Sequence, residues 1–141
     1  PPAGPGHDLL IVHANPYDLE RAIHPRVPDA ELDELLLESG QAPSWQVLAF
    51  GHVHTPFTRT WRDRLLVNVA SAGLPMDGDH RAAYAILTWE GEPGQGGAWR
   101  AEHRRVMYRH AIVAHEMRSG GLPRGKHFAE RLMSASYGGP D

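Results

Sequence analysis

Apolar residues along this chain fall into short continuous runs and helically spaced clusters, and the two patterns alternate. Leu9-Leu10-Ile11-Val12 is a continuous run, the pattern of a strand buried on both faces. It stops at His13, and Asn15-Pro16 signals a loop. Pro25 and Pro28 keep the next stretch irregular. Asp29 then reads as a helix N-cap, followed by Leu32, Leu35 and Leu36 at helical spacing, with Gly40 as the stop. Val47-Leu48-Ala49-Phe50 is a second apolar run, ending at Gly51. Strand, helix, strand predicts a βαβ unit with parallel strands. Open α/β sheets bind ligands at the C-terminal edge of such strands. His13 falls just past the first strand, and His52 and His54 just past the second.

After residue 55 the pattern changes. Residues 57–61 and 65–69 read as two strands joined by a tight turn at Arg62-Asp63-Arg64. Residues 82–89 form a stronger strand, residues 90–97 a glycine-rich loop, and residues 98–108 a further strand. Residues 110–119 read as a helix with Ile112, Val113 and Met117 on one side, closed by Gly120-Gly121. Residues 123–135 read as a last helix with Phe128, Leu132 and Met133 as its apolar face, and 136–141 as a loose tail. The chain opens on Pro1 rather than Met, and residues 1–6 read as a linker running into the first strand. The expectation is that it begins within a longer protein.

Composition narrows the chemistry. With 141 residues there is enough chain for one domain with a core, and 41% hydrophobic with 22% charged residues is ordinary for a globular protein. A net charge of −3 argues against stable nucleic-acid binding, which usually rests on a basic surplus. The chain has no cysteine, so disulfides and thiolate metal sites are excluded. Ten histidines remain, and any metal site must use imidazole and oxygen ligands. Without a long apolar run or signal peptide, a cytoplasmic location and no membrane partner are expected.

Gly51-His52-Val53-His54-Thr55-Pro56 is the most informative stretch. Two imidazoles two residues apart cannot share a helix face, but in a loop they can point into one site. Gly51 offers a sharp turn or a close approach. Two surface histidines are the competing reading of the pair taken alone. With its surroundings, the stretch resembles the G-H-x-H motif of calcineurin-like metallophosphoesterases. Leu10-Ile11-Val12-His13 resembles that family's preceding strand-plus-histidine motif. Residues 66–73 resemble the strand and N-P-G-S-x-G turn of its small prokaryotic branch, and residues 82–87 the strand after that turn. Val106-Met107-Tyr108, the helix after it and Gly121-Leu122-Pro123 continue the likeness, which covers roughly residues 8–134.

The resemblance implies an α/β fold, the C-terminal half of a four-layer α/β/β/α sandwich, with residues 1–141 as one portion of a single domain. It implies a phosphodiesterase or phosphatase with two divalent metal ions drawn from Mn, Fe, Zn or Ni. His13 and His52 would hold one ion and His54 the other. The family's remaining ligands, in D-x-H, G-D-x-x-D and G-N-H-D/E motifs, have no counterpart here, and neither does its general-acid histidine. This chain alone is therefore expected to bind metal weakly and to turn over little. Ala14 stands where glycine is usual, and Val69-Ala70 replaces Pro-Gly.

Other residues carry weaker signals. His24, in the loop after the first strand, is a candidate for touching substrate. Asn68 has two readings, substrate contact or capping of the backbone in its turn. Arg104 and Arg105 read as solvated strand residues, and Asp77-Gly78-Asp79 as a turn, since no EF-hand spacing follows. The expected partner is a phosphoester substrate, a nucleotide among the candidates, and homo-oligomers stay open. The alternatives left standing are an inactive interaction scaffold on the same fold, as in the retromer subunit that resembles these enzymes, and an unrelated single-metal histidine protein.

Overall fold

Leu32, Leu35 and Leu36 mark one stripe of a short helix, and all three are buried. The computed structural model describes residues 8–92 and 96–137. The expected opening linker, the middle of the glycine-rich loop and the last four residues lie outside them. In chain order the elements are β1 (Leu9–Ile11), α1 (Asp29–Leu36), β2 (Val47–Phe50), β3 (Phe57–Trp61), β4 (Arg64–Asn68), β5 (Ala82–Gly91), β6 (Gly97–Val106), α2 (His110–Ser119) and α3 (Gly125–Ser134).

Four strands form a sheet in the order β1-β2-β4-β3. β1 pairs parallel to β2 and β2 parallel to β4, while β3 and β4 form an antiparallel hairpin. The βαβ expectation therefore holds, and β1 and β2 end on one edge. Side chains alternate across the strands. Leu48, Phe50 and Leu66 pack with α1, Trp45 and Trp61 in the main core. Val47, Ala49 and Val67, on the opposite face, are also buried.

β5 and β6 pair as a separate two-stranded ribbon. It is tied to the sheet where the Ala83 N–H donates to Ser71 O (3.0 Å) and His103 Nε2–H donates to Asn68 O (2.8 Å). At the other end the two separate around a cleft of about 390 Å³ lined by Thr60, Arg64, Leu65, Trp89 and Trp99, among others. α2 and α3 pack on each other through Ala114, Ala129 and Leu132, with Val113 and Met117 half-buried. Gly125 permits the close crossing: a Cβ there would stand 1.9 Å from Met117 O.

The structure corrects several expectations. β1 is not buried on both faces: Ile11 is 71% exposed and Leu9 36%. It lies at the sheet edge, and among the described residues only β2 pairs with it. Asp29 does not cap α1. Pro28 holds the N-cap position, its carbonyl accepting from the Glu31 and Leu32 N–H groups, and the Asp29 carboxylate pairs with Arg59 of β3. Ile112 and Met133, read as core-facing, are exposed, because Ala114 and Ala129 make the closer helix contact. Arg105 is not solvated; it is mostly buried and paired with Asp77 and Asp79, whose turn is built around Gly78 at φ +83°. No helix among the described residues is long and apolar enough to cross a membrane.

Candidate metal centre

The loop after β1 is organised by one buried side chain. Asn15 is 2% exposed. Its Oδ1 accepts from the Tyr17 and Asp18 N–H groups at 2.9 and 2.8 Å, and its Nδ2 donates to Arg21 O at 2.6 Å. Asp18 continues the turn by accepting from the Glu20 and Arg21 N–H groups. Those two bonds hold its carboxyl below the usual carboxylate range, and the nearby charge of His52 acts in the same direction. The loop thus puts an exposed anion near His52. Asn15 carried only a generic loop signal in the sequence, and Asp18 stood outside any of the family's carboxylate motifs.

The β2–β3 connection is held from below. The Gly51 N–H donates to His13 O at 2.9 Å, which joins the two histidine-bearing loops through the backbone. Asn68, fully buried, donates from Nδ2 to Gly51 O (2.5 Å) and accepts the Ala70 N–H at Oδ1 (2.9 Å). Both ends of its amide are used inside the protein. Asn68 therefore caps and positions the loop, and it has no free face for the substrate contact considered above. Gly51 also differs from expectation, since a Cβ there would meet only ordinary contacts at 3.7 Å and beyond. The left-handed conformations fall instead on His52 (φ 64°) and His54 (φ 54°). Residues with a Cβ adopt this region at a cost of about 1–2 kcal/mol, and such strain collects at functional sites.

That backbone aims the rings. His13 Nε2 and His52 Nδ1 are 2.9 Å apart, with the rings near perpendicular at 87°. Two bare lone pairs repel at that distance, so a proton or a cation must lie between them. Two imidazole nitrogens on adjacent positions around one ion, each about 2.0–2.1 Å from it, stand roughly 2.8–3.4 Å apart. The pair fits a shared divalent ion.

His54 points elsewhere. Its Nδ1–H donates to Leu74 O at 2.8 Å. That bond selects the tautomer whose Nε2 keeps a lone pair, an arrangement usual for metal-bound histidine. Among the described residues no group of three or more His, Asp or Glu side chains converges on a single point. The three histidines are arranged as a close pair and a separate third.

Beside them lies a pocket of about 320 Å³ lined by Ala22, His24, His52, Val53, His54, Leu74, Met76, Arg131 and Tyr137. His24 is therefore brought to the same place as His52 and His54. Arg131 of α3 and Tyr137 of the segment after it were not foreseen. Tyr137, expected in a loose tail, donates its hydroxyl to Val53 O at 2.5 Å. Burial raises its phenol above the ordinary value, and the Arg131 charge opposes that in part.

No protein-family model matches this sequence, and no curated protein matches it. Solved structures do match. The crystal structure of a metallophosphoesterase from Sphaerobacter thermophilus is similar over 92% of this chain and 55% of that one, with a TM-score of 0.63 and 23% identity. The crystal structure of a hypothetical protein from Pyrococcus horikoshii OT3 is similar over 89% of this chain and 46% of that one, with a TM-score of 0.67 and 16% identity. At such identities the likeness is one of fold. This α/β chain has the fold of part of a metallophosphoesterase and spans about half the length of the structures it matches.

Proposed function

We propose that the protein containing this chain is a metal-dependent phosphoester hydrolase, with His13 and His52 as ligands of one divalent ion and His54 as a ligand of a second. The observation that carries the reading is the 2.9 Å separation of His13 Nε2 and His52 Nδ1 on strained, backbone-tethered loops. The fold supports it, because one of the matching solved structures is a metallophosphoesterase. Mn, Fe, Zn or Ni suits an imidazole set completed by carboxylates. The carboxylates would come from polypeptide beyond the described residues, among which no three His, Asp or Glu side chains converge.

Divalent ions at such a site polarise phosphoryl oxygens and lower the pKa of a bound water. The residues of this chain have separate tasks. The Leu74 carbonyl keeps His54 in the tautomer that leaves Nε2 free. Asn68 and the Gly51–His13 backbone bond fix the spacing of the two loops before any ligand arrives. His24 lines the pocket, where it can donate a hydrogen bond to a phosphate oxygen.

The test is Mn-dependent hydrolysis of a chromogenic phosphodiester by the full-length protein. His52→Ala and His54→Ala are each expected to lower turnover by about a hundredfold or more. Unchanged activity in both variants would remove these residues from the site.

A further inference from the structure

Among the described residues Arg131 is the one Lys or Arg lining the histidine pocket, and its surroundings do not explain it. It projects from α3, which is otherwise engaged with α2. Its guanidinium carbon lies 5.2 Å from the Tyr137 ring centroid, and Nη2 lies 3.8 Å from Met76 Sδ. A ring face and a thioether stabilise a cation only weakly. Its Nε is buried and has no hydrogen-bond partner among the described residues. Among those residues it also makes no ion pair with a carboxylate, unlike Arg59, Arg62, Arg64, Arg81 and Arg105. A buried donor on a permanent cation, left without an acceptor, costs stability and calls for an explanation. The guanidinium fork is built to take two oxygens of a phosphate or carboxylate.

His52 and His54 line the same pocket. An oxyanion seated in it would satisfy the orphan donor and share the pocket with the imidazoles. We propose that Arg131 binds an oxyanion of the substrate, with Tyr137 holding the guanidinium in place. The inference rests on the phosphoester reading and adds a specificity-determining residue to it. The oxyanion is either the reacting phosphoryl group or a second anionic group on the same substrate.

The test uses the full-length protein with inorganic phosphate as the probe. Titration calorimetry of wild type, Arg131→Gln and Arg131→Lys should show phosphate affinity about tenfold or more weaker in Arg131→Gln. Arg131→Lys should recover part of the loss, and Mn affinity should stay the same in all three. Unchanged phosphate affinity in Arg131→Gln, or a wild type that does not bind phosphate, overturns the proposal. Should Arg131→Gln fail to fold, the wild type answers alone through the ¹⁵N resonance of Arg131 Nε–H. That resonance should move on adding phosphate, and no movement at saturation overturns the proposal equally. Steady-state kinetics identify which oxyanion is held. A raised KM toward a simple phosphodiester marks the reacting group, whereas an effect confined to substrates with a second phosphate marks the other. Loss of Mn binding in His52→Ala with the Arg131 response intact keeps the two readings separable.

Discussion

Three residues with a Cβ near the candidate centre adopt left-handed backbone: His52, His54 and Ala70. The histidines carry side chains that the site uses. Ala70, at φ 69°, carries a methyl group that no hydrogen bond or ligand role requires. Glycine adopts this conformation without the Cβ penalty, although it adds freedom to the unfolded chain. The steric term is the larger one at this φ. Ala70→Gly is therefore expected to stabilise the protein by about 1 kcal/mol, read as a higher urea midpoint at constant slope. An unchanged or lower midpoint would show that the neighbours of Ala70 have absorbed the strain. Residue type and spacing made His13, His52 and His54 candidates, and the family resemblance implied their ligand roles. Neither was enough for Arg131 or Asn15. Arg131 meets Met76 across 55 positions of sequence, and nothing local in α3 signals that meeting. Asn15 looked like any loop asparagine until its three hydrogen bonds were in place.

At the scale of elements, the α2–α3 pair shows how far pattern reading carries. Both helices were legible from apolar spacing, within two residues at each end. Their contact face was legible only in part: Val113, Met117 and Leu132 lie on it as read, whereas Ala114, Ala129 and Gly125, which set the close approach, gave no apolar signal. Gly125 gives the sharpest check. Helix propensity alone favours Gly→Ala by up to about 1 kcal/mol. The geometry predicts the reverse, because the added Cβ would enter the Met117 carbonyl oxygen at 1.9 Å. Gly125→Ala is expected to destabilise by about 1–3 kcal/mol, measured by the same denaturant titration. The effect should reach the pocket too, since α3 carries Arg131. The strands divide in the same way. β2 and the β3–β4 hairpin matched their apolar runs, while β1 read as a buried strand and is an edge. An apolar run records what a strand is suited to pack against, and a strand at a sheet edge has that partner on one side only.

At the scale of the molecule, the four-stranded sheet ends on β1 with one long side unpaired among the described residues. Leu9 and Ile11 lie beside it, on the face where Val47, Ala49 and Val67 are covered. Unpaired apolar edges recruit other strands. Residues 1–141 expressed alone are expected to self-associate at micromolar concentration, and Ile11→Lys to suppress this with little loss of stability, because the side chain is already 71% exposed. Sedimentation velocity across a dilution series checks both parts. A monomer at every concentration in the unsubstituted chain would show that the edge is inert. The same edge bears on how the fold closes. The sheet presents an apolar margin and a pair of histidine loops already tethered to each other by the Gly51–His13 bond. Whatever polypeptide next meets that margin finds strand register and metal-ligand spacing set in advance, so closing the fold and finishing the metal centre become one event.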